Sequence, residues 1–264
     1  MLDINLKGKT ALVGGSSQGI GRAAAMALAG LGANVILLAR NGASLEEVKK
    51  ELDTASGQWH FIIAADMAQP NVMIEEVKNF IEAQKIIVHI LVNNTGGPTP
   101  GPVNEAKTGD FEAAFQQHLI ANHLLVQALL PGMKEAGYGR IINIISTSVK
   151  IPIANLGVSN TIRAAVANWS KTLSGEVAKF GITVNNVLPG ATYTSRLKGI
   201  IQNTAAKNSL EEGAVEQNML REIPAGRFGT AEEIANAIAF LASPAAAYIN
   251  GINLPVDGGR TGCL

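Results

Sequence analysis

The sequence predicts an α/β protein in which a doubly wound, seven-stranded parallel sheet carries helices on both faces. Short apolar runs alternate with helical patterns along the whole chain, which is the arrangement of repeated βαβ units. The apolar runs lack polar alternation, as expected for strands of a parallel sheet that are buried on both faces. We place the strands at residues 10–13, 34–39, 60–64, 90–92, 140–145, 182–188 and 251–256.

Helical patterns separate these strands, and glycines mark several of their ends. The helices are predicted at 20–31, 45–54, 71–84, 111–135, 160–180 and 231–242. Gly32, Gly137 and Gly181 stand between a helix and a strand, where a left-handed residue commonly ends a helix. Residues 191–227 are polar and irregular, with helical patches, so we expect a substrate loop or lid there. Because no change of composition marks a linker, residues 1–264 are predicted to form a single domain.

Composition argues against several classes of partner and site. The 264 residues carry 21 Lys and Arg against 21 Asp and Glu, so no positive surplus favours nucleic acid or a membrane surface. No apolar run approaches the ~20 residues of a membrane span, and no apolar signal peptide is visible. Cys263 is the only cysteine, which suits a reducing compartment, so we expect a cytoplasmic protein. His118 and His123 do not share a helix face, and no metal site is predicted.

A glycine-rich turn joins the first strand to the first helix. Gly15, Gly19 and Gly21 allow a sharp turn and let a diphosphate approach the main chain. The free N–H groups and the helix dipole then favour the negative charge. The turn therefore predicts a dinucleotide site, whose residues here are Gly15, Ser17, Gln18, Gly19, Ile20 and Gly21.

Five motifs in order resemble the short-chain dehydrogenase/reductase family, from about residue 6 to residue 259. They are the glycine turn, with Gly14 in place of the usual threonine, then Asp66 after the third strand, Asn93-Asn94-Thr95-Gly96, Pro189-Gly190 with Thr194, and Val256-Asp257-Gly258-Gly259. The resemblance implies a Rossmann-type fold and a nicotinamide cofactor. It also implies cofactor contacts by Asp66, Met67, Asn93, Gly96, Pro189, Gly190, Thr192 and Thr194, and assembly into a homodimer or homotetramer through the two long helices and the C-terminal segment.

The end of the second strand indicates which cofactor is used. A carboxylate there would accept hydrogen bonds from a ribose 2′-hydroxyl, whereas this chain has Ala39-Arg40-Asn41. Because a guanidinium pairs with phosphate, we favour NADP(H) over NAD(H). The alternative is that Arg40 is a solvated surface residue.

The family's catalytic pattern is incomplete in this chain. That pattern has a serine, a tyrosine thirteen residues later and a lysine four beyond the tyrosine, with an asparagine on an upstream helix. Tyr-x-x-x-Lys occurs nowhere, because the residues four after the tyrosines Tyr138, Tyr193 and Tyr248 are Ile142, Leu197 and Ile252. Ungapped counting places Ser146 at the serine position, Ser159 at the tyrosine position, Arg163 at the lysine position and His118 at the asparagine position.

The replacements leave part of the chemistry possible. Ser159 and Arg163 are four apart and share a helix face, and Arg163 keeps a fixed positive charge that can also contact the ribose of the cofactor. A serine hydroxyl needs a partner to transfer a proton, for which His118 or Tyr193 are the candidates. Alternatively, His118 is a core or interface residue, the two serines are small neighbours of the cofactor, and Arg163 forms a structural ion pair.

We therefore expect an NAD(P)H-dependent oxidoreductase that transfers hydride between nicotinamide and a carbonyl or alcohol substrate. Similarity to 3-oxoacyl-acyl-carrier-protein reductases makes a 3-oxoacyl thioester a candidate substrate. The competing hypothesis is a catalytically impaired member of the fold that binds nucleotide or serves as a scaffold. Dehydration or isomerisation is a third alternative that no residue pattern specifically supports.

Overall fold

A seven-stranded parallel sheet crosses the computed structural model, which describes residues 2–263. The strand order is β3-β2-β1-β4-β5-β6-β7, so the chain winds outward from β1 to β3 and then crosses to β4 and beyond. The predicted fold class is confirmed. The strands are β1 (Thr10–Gly14), β2 (Asn34–Ala39), β3 (His60–Ala64), β4 (Ile90–Asn93), β5 (Gly139–Ile144), β6 (Ile182–Pro189) and β7 (Asn253–Val256).

Helices cover both faces of this sheet because successive strand residues point to opposite sides. The helices are α1 (Gly19–Gly30), α2 (Gly42–Glu51), α3 (Pro70–Gln84), α4 (Thr108–Phe115), α5 (Ala121–Glu135), α6 (Gly157–Val177), α7 (Ser195–Asn208), α8 (Glu212–Arg221) and α9 (Ala231–Ala242). In β1, Ala11 and Val13 join the apolar cluster formed with α1, α2 and α9, whereas Leu12 joins the cluster formed with α3, α5 and α6. None of the helices within residues 2–263 has the length and hydropathy needed to cross a membrane.

The long helix predicted at 111–135 is divided in the structure. Residues Gln116–Ile120 form a π-helical turn between α4 and α5, and His118 lies buried within it. A π turn inserts an extra residue into the helical ladder and rotates the following side chains. The periodicity of the sequence is too coarse to reveal an insertion of one residue.

Residues 191–227 are more regular than the sequence indicates. They form α7 and α8, which pack against each other through an apolar cluster of Leu197, Ile201, Ala205, Val215, Ile223 and Phe228. Each helix is short, and polar residues surround its few apolar positions, so neither has a strong periodic pattern on its own. Their pairing depends on contact between the two helices.

A row of asparagines crosses β4 to β7 on the face covered by α6. Asn93, Asn143, Asn186 and Asn253 are in register on adjacent strands. Asn143 donates to Asn186 at 3.0 Å and to Ser170 of α6 at 2.8 Å, and it accepts a bond of 2.8 Å from Asn93. Asn186 donates to Asn253 at 2.8 Å. Buried amides that pair across strands fix the register of the sheet below the site described next.

Candidate functional site

A cleft of about 860 Å³ opens at the carboxyl ends of the strands, where the strand order reverses between β1 and β4. Open parallel sheets bind ligands at such a switch point. Most of the predicted residues line this cleft, namely Gly15, Ser17, Gln18, Gly19, Ile20, Arg40, Asp66, Met67, Gly96, Ser146, Ser159, Arg163, Pro189, Gly190, Thr192 and Thr194. Gly21, Asn93 and His118 do not.

The glycine turn is shaped to expose main-chain N–H groups. Gly15 and Gly19 have φ values of +57° and +56°, which residues other than glycine rarely adopt. No side chain caps the N-terminus of α1, and its first turn contains no acidic residue. The first N–H groups of α1 therefore have no partner within the helix, and this end suits a diphosphate.

Asn94 holds the turn from the neighbouring strand. Its Nδ2 donates to the carbonyl oxygens of Gly14 at 3.1 Å and Gly15 at 3.4 Å. A Cβ on Gly15 would lie 2.7 Å from that same Nδ2, so glycine is required there. The predicted cofactor contact was Asn93, but its side chain belongs to the buried row. Asn94 was not predicted. Because consecutive strand residues face opposite sides, the Asn-Asn pair itself contained the signal that one of them points elsewhere.

Gly21, in the first turn of α1, packs directly against the glycine turn. A Cβ at this position would lie 2.7 Å from the carbonyl carbon of Gly15, closer still to its oxygen, and 2.8 Å from Asn94 Nδ2. Only glycine lets α1 pack this closely against the turn. Gly21 thus positions the amides that line the cleft without lining it.

The two ends of the cleft differ in character. Arg40 is exposed after β2 and has no carboxylate within ion-pair distance in residues 2–263. Asp66 and Met67 lie nearby after β3. This end matches the predicted adenosine side, with a guanidinium free to pair with a phosphate.

Ser146, Ser159 and Arg163 meet at the opposite end. Ser146 Oγ accepts a hydrogen bond from Ser148 N at 3.1 Å, and Arg163 Nη1 donates to the carbonyl oxygen of Ile144 at 2.6 Å. Ser159 and Arg163 lie one turn apart on α6 and both face the cleft, as their spacing predicts. Arg163 has no carboxylate partner in the described part of the chain, so the structural ion pair considered above is not formed there.

Arg163 is a buried cation with unused hydrogen-bonding capacity. It is 9% exposed, and its Nε has no hydrogen-bond partner among residues 2–263. Burial, followed by the nearby positive charge of Arg196, lowers the pKa of Arg163 to about 10. The group stays charged at neutral pH and is ready to donate to a ligand.

His118 and Tyr193 are poorly placed to supply a proton. Burial, with further contributions from the charges of Arg163 and Arg196, lowers the pKa of His118 to about 3, so its imidazole is neutral at physiological pH. Its side chain is buried away from the cleft, where it fits the alternative of a core residue. Tyr193 stacks on Phe228 with a centroid distance of 6.5 Å and does not line the cleft.

Several residues of the site were not predicted from the sequence, of which Arg196 is the most significant. Arg196 is the second residue of α7, lies against Gly97 and donates from Nη1 to the Gly97 carbonyl oxygen at 3.3 Å. Gln117 donates from Nε2 to Thr95 Oγ1 at 2.8 Å and closes the cleft beside Gly96. The feature of the sequence that could have pointed to Arg196 as a site residue is its position shortly after Pro189-Gly190. The charged residues that line the cleft within residues 2–263 are Arg40, Arg163, Arg196, Arg260 and Asp66.

Comparison with known proteins agrees with this geometry. A family model described as enoyl-(acyl carrier protein) reductase matches residues 15–261. The chain is 34% identical over 252 residues to the NADPH-dependent reductase BacG of Bacillus subtilis, covering 95% of this chain and 97% of that protein. It is 37% identical over 258 residues to the 3-oxoacyl-[acyl-carrier-protein] reductase FabG of Escherichia coli, covering 97% and 98%.

Solved structures give the same result. L-sorbose reductase from Gluconobacter frateurii, complexed with NADPH and L-sorbose, superposes with a TM-score of 0.92 at 32% identity, covering 99% of this chain and 100% of that one. The cleft, the glycine turn and these relatives together show that the chain belongs to the short-chain dehydrogenase/reductase family.

Proposed function

We propose that this protein is an NADP(H)-dependent oxidoreductase that transfers hydride between nicotinamide and a carbonyl or alcohol substrate. The observation that carries the proposal is the cleft itself, in which the glycine turn faces an unpaired Arg40 at one end and Ser146, Ser159 and Arg163 at the other. The NADPH dependence of BacG and the NADPH complex of L-sorbose reductase confirm the preference for NADP(H) that Arg40 predicts.

The residues present fit this cofactor. The amides of the glycine turn would hold the diphosphate, Arg40 the 2′-phosphate, and Asp66 and Met67 the adenine. Arg163 would donate to the nicotinamide ribose from the part of its guanidinium group that lines the cleft. When bound, the cofactor supplies the hydride, and the protein supplies position and electrostatics.

The proton transfer differs from the usual pattern of the family. Ser146 and Ser159 would donate hydrogen bonds to the substrate oxygen, and the fixed charge of Arg163 would stabilise negative charge developing there. No tyrosine, lysine, glutamate or histidine lines the cleft within the described residues, and Asp66 is at the far end. We infer that water entering the open cleft delivers the proton and leaves hydroxide, which passes into solvent, so no side chain of the cleft lining imposes a step on the pH profile of kcat near neutrality.

The architecture supports two related proposals. We propose that residues 1–264 form one domain, in which 191–227 serve as the substrate lid, because Arg196, Ile200, Thr204 and Met219 of α7 and α8 line the cleft. We also infer a homodimer or homotetramer in the cytoplasm, which sedimentation at micromolar concentration and cell fractionation would test. Phe111 and Phe115 on α4 have partly exposed apolar side chains, which support association through the two long helices predicted at 111–135 and 160–180.

The decisive experiment separates cofactor binding from turnover. NADPH binding is measured by fluorescence titration, and a panel of ketones and 3-oxoacyl thioesters is then assayed with NADPH. We expect binding and turnover, with Ser159→Ala and Arg163→Ala lowering kcat by about 10²–10⁴-fold. Thr161→Ala, on the exposed side of α6, is the matched control. Failure of NADPH to bind at millimolar concentration refutes the proposal.

The absence of a conventional proton donor from the cleft lining favours a second candidate, a nucleotide-binding protein without catalysis. In that case NADPH binds but no substrate of the panel is reduced. The double substitution Ser159→Tyr with Arg163→Lys would then create ketone reductase activity in an inactive parent. If the parent is already active and the double substitution only lowers its rate, this candidate is excluded.

A further inference from the structure

The substrate end of the cleft carries the guanidinium groups of Arg163 and Arg196, and no carboxylate lines it within residues 2–263; Arg260, which also lines the cleft, is already paired with Glu222. Arg163 is held by the Ile144 carbonyl oxygen, and Arg196 by the Gly97 carbonyl oxygen, so both reach the same cleft from different elements. Neither forms an ion pair within residues 2–263. Two unpaired cations in one partly buried cleft repel each other, and an anion that binds between them relieves this repulsion.

The phosphates of the cofactor are too far away to act as that anion for Arg163. Adjacent strands are about 4.8 Å apart, so Arg40 after β2 and the end of β5 are separated by three spacings, or about 14 Å. The glycine turn after β1 is two spacings, or about 10 Å, from the same strand end. Asp66, after β3, is four spacings away and does not neutralise the pair.

The positions of the two arginines also limit where the negative group sits in the substrate. Arg163 lies one helical turn from Ser159, where the reacting oxygen would bind. An anion shared by Arg163 and Arg196 is therefore only a few bonds from the carbonyl carbon. A thioester carried on a phosphopantetheine arm has its phosphate many bonds away, and its acyl group is neutral.

Resting on the proposed function, we propose that the substrate is a small oxo acid, or the corresponding hydroxy acid, whose carboxylate is bound by Arg196 together with Arg163. Guanidinium groups bind carboxylates through paired, charge-assisted hydrogen bonds, which Arg196 would make, while the buried charge of Arg163 attracts the same carboxylate. Arg196 is exposed on the wall of the cleft, where it can meet an entering anion, and it belongs to the lid segment 191–227.

The test compares each acid with its neutral counterpart. The protein is assayed with NADPH on 2-oxo and 3-oxo acids of four to eight carbons, their methyl esters, and a 3-oxoacyl thioester. We expect kcat/KM for the acid to exceed that for the ester by about 10- to 100-fold, mainly through KM. Arg196→Met should remove this preference, Arg196→Lys should restore part of it, and the dissociation constant of NADPH should stay within about twofold. Lys198→Met removes a charge from the outer side of the same helix and should change none of these values.

Several outcomes overturn the proposal. An ester or thioester that is used as well as the acid excludes a carboxylate site. An Arg196→Met variant that loses NADPH affinity, while its acid preference persists, makes Arg196 a cofactor ligand.

If no compound is reduced, calorimetry with the NADP⁺-loaded protein still tests the site. Oxo-acid binding that Arg196→Met abolishes supports the anion site while the proposed reduction fails. An absence of binding refutes the site itself.

Discussion

Gly21→Ala tests whether the packing of α1 against the glycine turn controls cofactor binding. The new Cβ would lie 2.7 Å from the carbonyl carbon of Gly15, whereas ordinary contact begins at 3.4 Å, a shortfall of about 0.7 Å. The obstacle is main chain, so the turn or the helix must move by that amount or more. Overpacking of this kind costs about 1–3 kcal/mol of folding free energy. Displacing the amides that we propose bind the diphosphate by nearly 1 Å should weaken NADPH binding by about 10- to 100-fold.

The assay combines NADPH fluorescence titration with thermal unfolding of the apoprotein. Gly30→Ala is the matched control, because Gly30 is the last residue of the same helix and a Cβ there meets nothing within 4 Å. That substitution should raise stability by up to about 1 kcal/mol and leave NADPH affinity unchanged. If Gly21→Ala binds NADPH within twofold of the parent and melts at the same temperature, the contact with Gly15 does not position the turn.

Further predictions concern the adenosine end, the sheet, acid sensitivity and a helix cap. Arg40→Asp should weaken NADPH binding about 100-fold at fixed ionic strength while NADH binding holds or improves. Asn143→Ala leaves the buried Nδ2 of Asn93 and Oδ1 of Asn186 without their partner, whereas Ser170 keeps its bond to the Val166 carbonyl oxygen, and should lower the free energy of unfolding in urea by about 2–4 kcal/mol. In the unfolded chain His118 has its ordinary pKa of 6.5 and is protonated below that pH. In the folded chain its pKa is about 3, so the imidazole stays neutral until the pH approaches that value. The free energy of unfolding should therefore fall as pH drops through that window, by a limit on the order of 4–5 kcal/mol, and His118→Gln should flatten the dependence. Thr230→Ala removes the capping box of α9 and should cost about 1 kcal/mol in the same urea assay.

Each of these predictions has a contrary result, which for Thr230→Ala is an unchanged unfolding midpoint in urea. Equal loss of NADPH and NADH binding in Arg40→Asp would place that residue away from the 2′-phosphate. A fully stable Asn143→Ala would mean that water replaces the asparagine side chain. An unchanged pH profile in His118→Gln would assign the acid sensitivity to another group, of which His89, with its pKa lowered to about 4 by burial and by Lys9, is the next candidate.

Much of the fold and of the cofactor end followed from local sequence. Strands β2 and β3 have the predicted limits, and the glycine turn follows β1 as expected. These features depend on short-range physics, since apolar runs form buried strands and glycine alone adopts the required φ values. Arg40 was found for the same reason, because its position directly after β2 decides what it faces.

Other features required the tertiary structure. Asn93 and Asn94 are adjacent in sequence, and only the sheet assigns one to the buried row and the other to the glycine turn. His118 lies in the π-helical turn Gln116–Ile120 and is buried there, which lowers its pKa and keeps its imidazole neutral.

The positions of the seven strands and of the glycine turn could be predicted from the sequence, because residues within a few positions of one another decide both. The fold alone brings Arg196 of α7 to the same cleft as Arg163 of α6, although the two are far apart in the chain. Their charges interact because Arg196, in the first turn of α7, lies against Gly97 at the end of the sheet where Arg163 lines the cleft. Contact between residues that are far apart in the chain depends on the tertiary fold, and the spacing of residues in the sequence does not predict it.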